Sequence, residues 1–499
     1  MRRLLAALMW VVVGGAAQVT LAAPSHFEVS PLGFDAARHL LTRTSYAASP
    51  ADIERFSGLT REQAVDRLLS WTDTPRITPP PTWVREPVLA GQRVRDMTVE
   101  ERRAFQRTNV ARGLDLRGWW LQEMVTTPSP LTEKMVLFWH NHFVSSQQKV
   151  RQPQYLYRQN LLLREHALGN FGAFLHAIAR DPAMVIYLDN ASNRKQQPNE
   201  NFSREVMELF TLGEGNYTER DIKEAARAFT GWSIDPEKGE FLFRVMAHDD
   251  GVKTVLGRTG NFDGAAVLEI LLAQPQTAEF IVRKLWREFV SPEPAADDVR
   301  RIASVFRDSR YDIRAALRAL LTSDAFYAPQ HRATLVKSPV DLVVGTLRQF
   351  QFTTGDVQPF ALAVAQLGQN LFSPPNVKGW PGGEAWINST TLLARKQFLE
   401  RLFRAEEMRP ATVMAASVTQ GASGMAPRGG PLNDMRQRLL RAMTEVRFDG
   451  ERWLQLAGSE PVLVQRLVLA MAPQHVLPPG VTGMDAIRRL TQDPVYQLK

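Results

Sequence analysis

The stretch Asn199 to Trp232, NENFSREVMELFTLGEGNYTERDIKEAARAFTGW, reads as two short helices whose need for partners decides what the rest of the chain must be. Asn201 stands as an N-cap, Phe202 to Leu212 run without Gly or Pro, and Gly213 falls where a left-handed C-terminal residue is wanted. At ~100° per residue, Phe202, Val206, Leu209 and Phe210 share an apolar face, with Arg204, Glu208 and Thr211 opposite and Glu205 at the margin. Thr218 with Asp221 resembles a capping box for the second helix, which turns Ile222, Ala225, Ala226 and Phe229 to one side before Gly231 stops it. A helical hairpin of this length cannot bury two apolar faces alone, so other helices must cover it.

The rest of the chain supplies them. Ser49 before Pro50, Thr60 with Gln63, Thr98 with Glu101, and Ser129 before Pro130 each open a helix, and periodic apolar segments resume from residue 264. Only one region alternates: Phe241, Phe243 and Val245 lead to Asp250-Gly251, and Val252 to Leu256 returns, which predicts one short β-hairpin near 241–256. The fold class expected is mainly α, a large multi-helix globular domain over residues 24–404. A small-residue linker over 405–432 and a C-terminal helical segment over 433–499 follow it.

With 499 residues and 44% hydrophobic content, the chain can bury a large core. The absence of cysteine excludes disulfides, zinc–thiolate sites and a thiol nucleophile. A net charge of +8 is mild, and Arg and Glu alternate along the helices in place of a basic stripe, so no nucleic acid is expected as a partner. Residues 1–23 carry Arg2 and Arg3, an apolar run from Leu4 to Ala17 and small residues ending at Ala22 or Ala23, the pattern of a secretory signal peptide. That run is shorter than the ~20 residues a membrane span requires, and no later stretch qualifies. The mature chain is expected to be periplasmic or secreted, with no transmembrane helix.

Candidate chemistry gathers at four places. Glu205 and Glu208, three residues apart, are surface neighbours on one helix. His248 and Asp249 flank the expected hairpin turn. These four are the candidate catalytic residues, since carboxylates with imidazoles suit acid–base work. His140 and His142 join Glu205 and Glu208 as candidate ligands of a divalent metal ion, the cofactor such a donor set would suit. On a regular helix, however, the two histidines point about 200° apart and could not hold one ion together. A hydrogen-bonded core role for His142 is the other reading. No His-Glu-x-x-His, Gly-x-Ser-x-Gly or Walker A motif occurs. An alternative to an enzyme or metal-binding protein is a non-catalytic envelope scaffold that binds a polysaccharide or partner protein through the Trp-rich loop 376–389.

Six blocks carry a family resemblance: FWHNHF from Phe138, the opening stretch, HDDGVKTVLG from His248, QPQTAEFIVRKLW from Gln274, KSPVDLVVG from Lys337 and LGQNLFSPPNVKGWPGGEAWI from Leu367. In this order they closely resemble the bacterial domain of unknown function 1800 family, over roughly residues 30 to 404, with 433–499 outside the resemblance. The resemblance implies an exported, mostly helical protein, often encoded beside a protein of the domain of unknown function 1501 family, which becomes the candidate partner. It implies no established reaction. Many relatives carry His where this chain has Phe210, so a metal role at that position is absent here.

Overall fold

The computed structural model describes residues 30–407, 445–458 and 460–499. The signal-like segment 1–23 and nearly all of the linker 405–432 lie outside these residues.

The fold is mainly α, and the predicted caps at Ser49, Thr60, Thr98 and Thr218 start the predicted helices. Thr60 with Gln63 opens Arg61–Trp71, Thr98 with Glu101 opens Val99–Thr126, and Thr218 with Asp221 opens Glu219–Ala228, each as a reciprocal capping box. Ser49 caps Pro50–Ser57 without the reciprocal bond, its side chain accepting from Asp52 N. These helices bury one continuous core that includes Trp120, Trp139, Trp286 and Trp453. Trp139, on helix Pro130–His142, lies edge-on to Phe174 at 5.2 Å and stacked on Phe143 and Phe171 at 5.7 Å. Among the described residues no single helix is long and apolar enough to cross a membrane.

The C-terminal segment shares this core. Trp453 Nε1 donates to Gln349 O at 2.7 Å, and the Tyr496 and Thr346 hydroxyls meet at 2.9 Å. Residues 497 to 499 then run antiparallel to 335–337, with Lys337 N bonded to Gln497 O at 2.7 Å and Lys499 N to Leu335 O at 2.8 Å. This short ribbon carries the Lys499 side chain into the interior.

The β structure lies in the predicted region, with different pairing. Strand Phe241–Phe243 pairs back onto Trp232–Ile234, and Lys253–Val255 pairs forward onto Arg258–Gly260. The two runs predicted to face each other do not. Asp250-Gly251 fails as their turn because Asp249 is tied to helix Glu219–Ala228 through Arg227. The two-residue turn sits instead at Leu256-Gly257, both with positive φ, +48° and +77°.

The opening stretch also departs from a regular helix. Asn201 does not cap it: the helix Asn201–Glu205 follows Glu200 with no side-chain cap, and Asn199 Oδ1 accepts from Asn201 N at 2.9 Å. From Val206–Thr211 the helix widens to the π form, with Leu212 N bonded to Met207 O at 2.8 Å and Thr211 Oγ1 to Val206 O at 2.6 Å. The widening buries Thr211, which a straight helix would leave on the open face. Gly213 ends the element at φ +80°, as predicted.

Candidate functional site

A π turn leaves carbonyls without the usual i+4 donor, and two long-range donors meet them here. His142 Nε2 lies 3.2 Å from Phe210 O, and Lys284 Nζ lies 3.2 Å from Leu209 O. Because a carbonyl can only accept, His142 must carry its proton on Nε2, which leaves Nδ1 as an acceptor. Lys284 Nζ donates to that nitrogen at 2.9 Å. Burial, and then Arg287, push the Lys284 amine down to about 7. Burial and the adjacent Lys284 also push His142 well below the usual imidazole range, so the ring is neutral at physiological pH.

These two side chains line a cleft of about 420 Å³ that also takes in Lys134, Arg287, Asp341, Lys378, Trp380 and Lys499. At its inner end one carboxylate serves two amines. Asp341 accepts from Lys134 and, at 2.6 Å, from Lys499, all three side chains being almost fully buried. Burial alone would raise the Asp341 carboxyl, but the two ammonium groups hold it well below the usual carboxylate range. Burial brings Lys134 down to about 8, against the pull of Asp341. Lys337, whose Nζ stands 3.8 Å over the Tyr496 ring, is pushed by burial down to about 7.

The outer wall is the loop that carries Lys378 and Trp380, and Asn141 pins it. Asn141 Oδ1 accepts from Trp380 N at 2.7 Å while its Nδ2 donates to Trp380 O at 3.3 Å. Gly379 passes so close that an added Cβ would meet Asn141 O at 2.7 Å, and its φ is +82°. His140 packs against Trp380, Phe372 and Trp120, and its Nε2 accepts from Phe372 N at 3.2 Å. Trp380 and Trp386 are buried, so the tryptophans of this loop do not form a displayed binding surface.

The predicted site residues divide into separate groups. Glu205 and Glu208 are half-buried neighbours on the central helix. Glu208 accepts from Tyr217 Oη at 2.8 Å and stands 3.6 Å from Lys378 Nζ, which ties it to the rim of the cleft. Burial, and then Glu208, raise the Glu205 carboxyl. His248 and Asp249 belong to a different arrangement: Asp249 is held by Arg227 at 2.7 Å, which lowers its carboxyl, and His248 Nδ1 bonds to Thr230 O at 2.9 Å. None of their bonds reaches Glu205 or Glu208. As a metal set, His140, His142, Glu205 and Glu208 do not fit. His140 Nε2 holds a backbone amide, both nitrogens of His142 are engaged, and among the described residues no three His, Cys, Asp or Glu side chains gather around one point.

Lys284, Lys134, Asp341, Lys499 and Asn141 were not singled out from sequence. Asp341 completes the capping box begun by Ser338, and Lys284 follows Arg283 in an amphipathic helix, so each had an ordinary local explanation. For Asp341, Lys284 and Asn141 the available signal was their place in the family blocks KSPVDLVVG, QPQTAEFIVRKLW and FWHNHF, three blocks that converge on this one cleft; Lys134 and Lys499 lie outside them.

Fold and site together define a mainly α protein with a buried lysine–histidine cleft. The chain belongs to the family described as "Protein of unknown function (DUF1800)", which matches residues 39–476. The match runs beyond residue 404 and takes in much of the C-terminal segment that the motif blocks alone had left outside. No curated protein and no solved structure matches the chain.

Proposed function

We propose that this chain is an exported enzyme of the cell envelope whose reaction centre is the cleft where Lys284 meets His142. The observation that carries the reading is the 2.9 Å bond from Lys284 Nζ to His142 Nδ1 at a cleft wall, with the amine brought to about 7. An amine that is substantially neutral at physiological pH can act as a base or attack a carbonyl carbon. His142 Nδ1 accepts a hydrogen bond from Nζ and so orients the amine at the cleft wall. Lys134 and Lys499 are matched by Asp341 and Glu288, and Lys378 by Glu208 and Glu214, while Arg287 makes no ion pair among the described residues; that guanidinium at the cleft favours a substrate bearing a carboxylate or similar anion.

The chemistry proposed is imine formation with a small anionic carbonyl compound. Nζ forms the C–N bond, the carbonyl oxygen leaves as water after taking up two protons, and the nitrogen loses the protons it no longer needs. Glu205 and Glu208 stand outside this step, at the rim, where Glu214 at 3.0 Å and Glu208 at 3.6 Å hold Lys378. Export rests on the basic, apolar and small-residue order of residues 1–23.

Reductive trapping of the mature protein with glyoxylate and cyanoborohydride, followed by peptide mapping, tests the reading. Lys284 is expected to be the dominant adduct, half-maximal near pH 7, with surface lysines reacting only at higher pH. An unmodified Lys284 at pH 8, in a protein whose exposed lysines react, would overturn it.

A further inference from the structure

The long helix Val99–Thr126 presents Arg102, Phe105 and Asn109 along one side, with Arg117 two turns further on. With Arg95 and Arg151 they line a second pocket of about 680 Å³. Among the described residues none of these four arginines makes an ion pair. Arg117 is the most enclosed, and every group it reaches is neutral. Its Nε donates to Asn370 Oδ1 at 2.8 Å and Leu371 O at 2.9 Å, and its Nη2 to Gln147 Oε1 at 2.8 Å and Ser373 Oγ at 3.1 Å. Burial lowers the guanidinium to about 10, with no carboxylate to offset it. Arg102 and Arg95 bond likewise to neutral oxygens, the backbone of Arg95 and Met97 and the Gln92 side chain.

Like charges converging on one cavity repel one another, and guanidinium groups held by neutral acceptors keep donors free for an oxyanion. Two further features narrow the ligand. Asn109 is 6% exposed, and its Oδ1 is buried with no hydrogen-bond partner, so it calls for a donor such as a hydroxyl. The half-buried Phe105 ring offers an apolar face beside it.

We propose that this pocket binds an acidic sugar unit, its anionic group on Arg117 and Arg151, a hydroxyl on Asn109 Oδ1 and its ring face against Phe105. The anion can be a uronic carboxylate or a sugar phosphate, which share this chemistry. The site is separate from the Lys284 cleft and does not depend on that assignment.

Calorimetric titration of the mature full-length protein tests it, using trigalacturonate, glucose 6-phosphate, maltotriose and inorganic phosphate as probes at low salt. Binding of trigalacturonate or of glucose 6-phosphate, whichever is tighter identifying the source, is expected, with at least a tenfold loss in Arg151→Gln and in Asn109→Leu. Arg151 is exposed, so its variant keeps the fold and the first loss reads the site alone. Inorganic phosphate binding as tightly as the sugars would overturn the sugar assignment. Maltotriose binding as tightly as trigalacturonate would overturn the anion assignment. Binding of no probe, or binding that both substitutions leave unchanged, would overturn the pocket itself.

Discussion

Replacing Lys284 by Met isolates the titration on which the cleft turns. Met keeps the length and apolar stem of the side chain and removes only the amine. An unperturbed lysine loses its proton near 10.4, whereas Lys284 loses it at about 7. Below about pH 7 both the folded and the unfolded chain carry this proton, and the whole cost of the buried charge, roughly 4 to 5 kcal/mol, bears on the fold. As pH rises past 7 the folded chain releases the proton while the unfolded chain keeps it. The parent therefore gains about 1.4 kcal/mol per pH unit relative to the variant, until the difference levels off near pH 10.4. Met also leaves His142 Nδ1 and Leu209 O without their donor, a loss of roughly 1 to 3 kcal/mol that does not vary with pH in this range. The variant should thus be the more stable protein at pH 6 and the less stable one by pH 10. Lys134 and Lys337, also brought down by burial, are present in both proteins and cancel in the difference. Urea unfolding of both proteins at pH 6, 7, 8, 9 and 10 gives the comparison. Parallel stability curves would refute the argument, because they would mean that Lys284 titrates alike in the folded and unfolded chains.

Asp341→Asn should cost roughly 3 to 5 kcal/mol at pH 7, since Lys134 loses the carboxylate it is bonded to and Lys499 keeps only Glu288, at 3.4 Å; a loss below 1 kcal/mol in urea unfolding would show that the amines neutralise without strain. Gly379→Ala should cost about 1 to 2 kcal/mol from the left-handed backbone alone, and should also disturb the bonds from Asn141 to Trp380; slower trapping of Lys284 together with a lowered melting temperature is the expected pair of readings. Glu205→Gln should stabilise the protein at neutral pH, because burial and Glu208 raise this carboxyl in the fold and its charged form is the strained one. That advantage should shrink as pH falls through the folded value and be gone below the unfolded value of about 4.3; thermal melts at pH 3.5 and 7.5 check it.

What sequence made legible was local. Capping boxes at Thr60, Thr98 and Thr218, and the positive φ of Gly213 and Gly231, depend on residues within a few positions of one another, and all are found. The π turn was not legible, because the donors that meet its carbonyls, His142 and Lys284, lie 68 and 75 residues away. The strand pairing was missed for a similar reason. Trp232 packs edge-on against Phe241 at 5.3 Å, so the aromatic partner of the first run lies before it in the chain, not after the Asp-Gly pair. Asp341 shows how a correct local reading can conceal a second role. One of its oxygens takes the backbone amide of Ser338 as any N3 cap would, while the carboxylate as a whole neutralises two buried amines.

The opening stretch organises the site, but through its backbone and not through its carboxylates. Had Val206–Thr211 stayed α-helical, Leu209 O and Phe210 O would have met the amides of Gly213 and Glu214, and Gly213 with φ +80° would have had to continue the helix. The wider turn instead gives those oxygens to Lys284 and His142. A neutral imidazole is thereby fixed in the tautomer that presents Nδ1 to the amine. The same carbonyls then set the conditions for both partners. They accept from a lysine whether it is charged or neutral, so they anchor Nζ without forcing it to keep its proton, which is the property a titrating amine at a cleft wall requires. A carboxylate at that place would hold the ammonium form, as Asp341 and Glu288 do for Lys499, whose amine is raised where that of Lys284 is lowered. Within one cleft, therefore, Lys499 between two carboxylates keeps its charge, Lys134 with a share of Asp341 alone is brought to about 8, and Lys284 with carbonyl and imidazole partners gives up its proton at about 7.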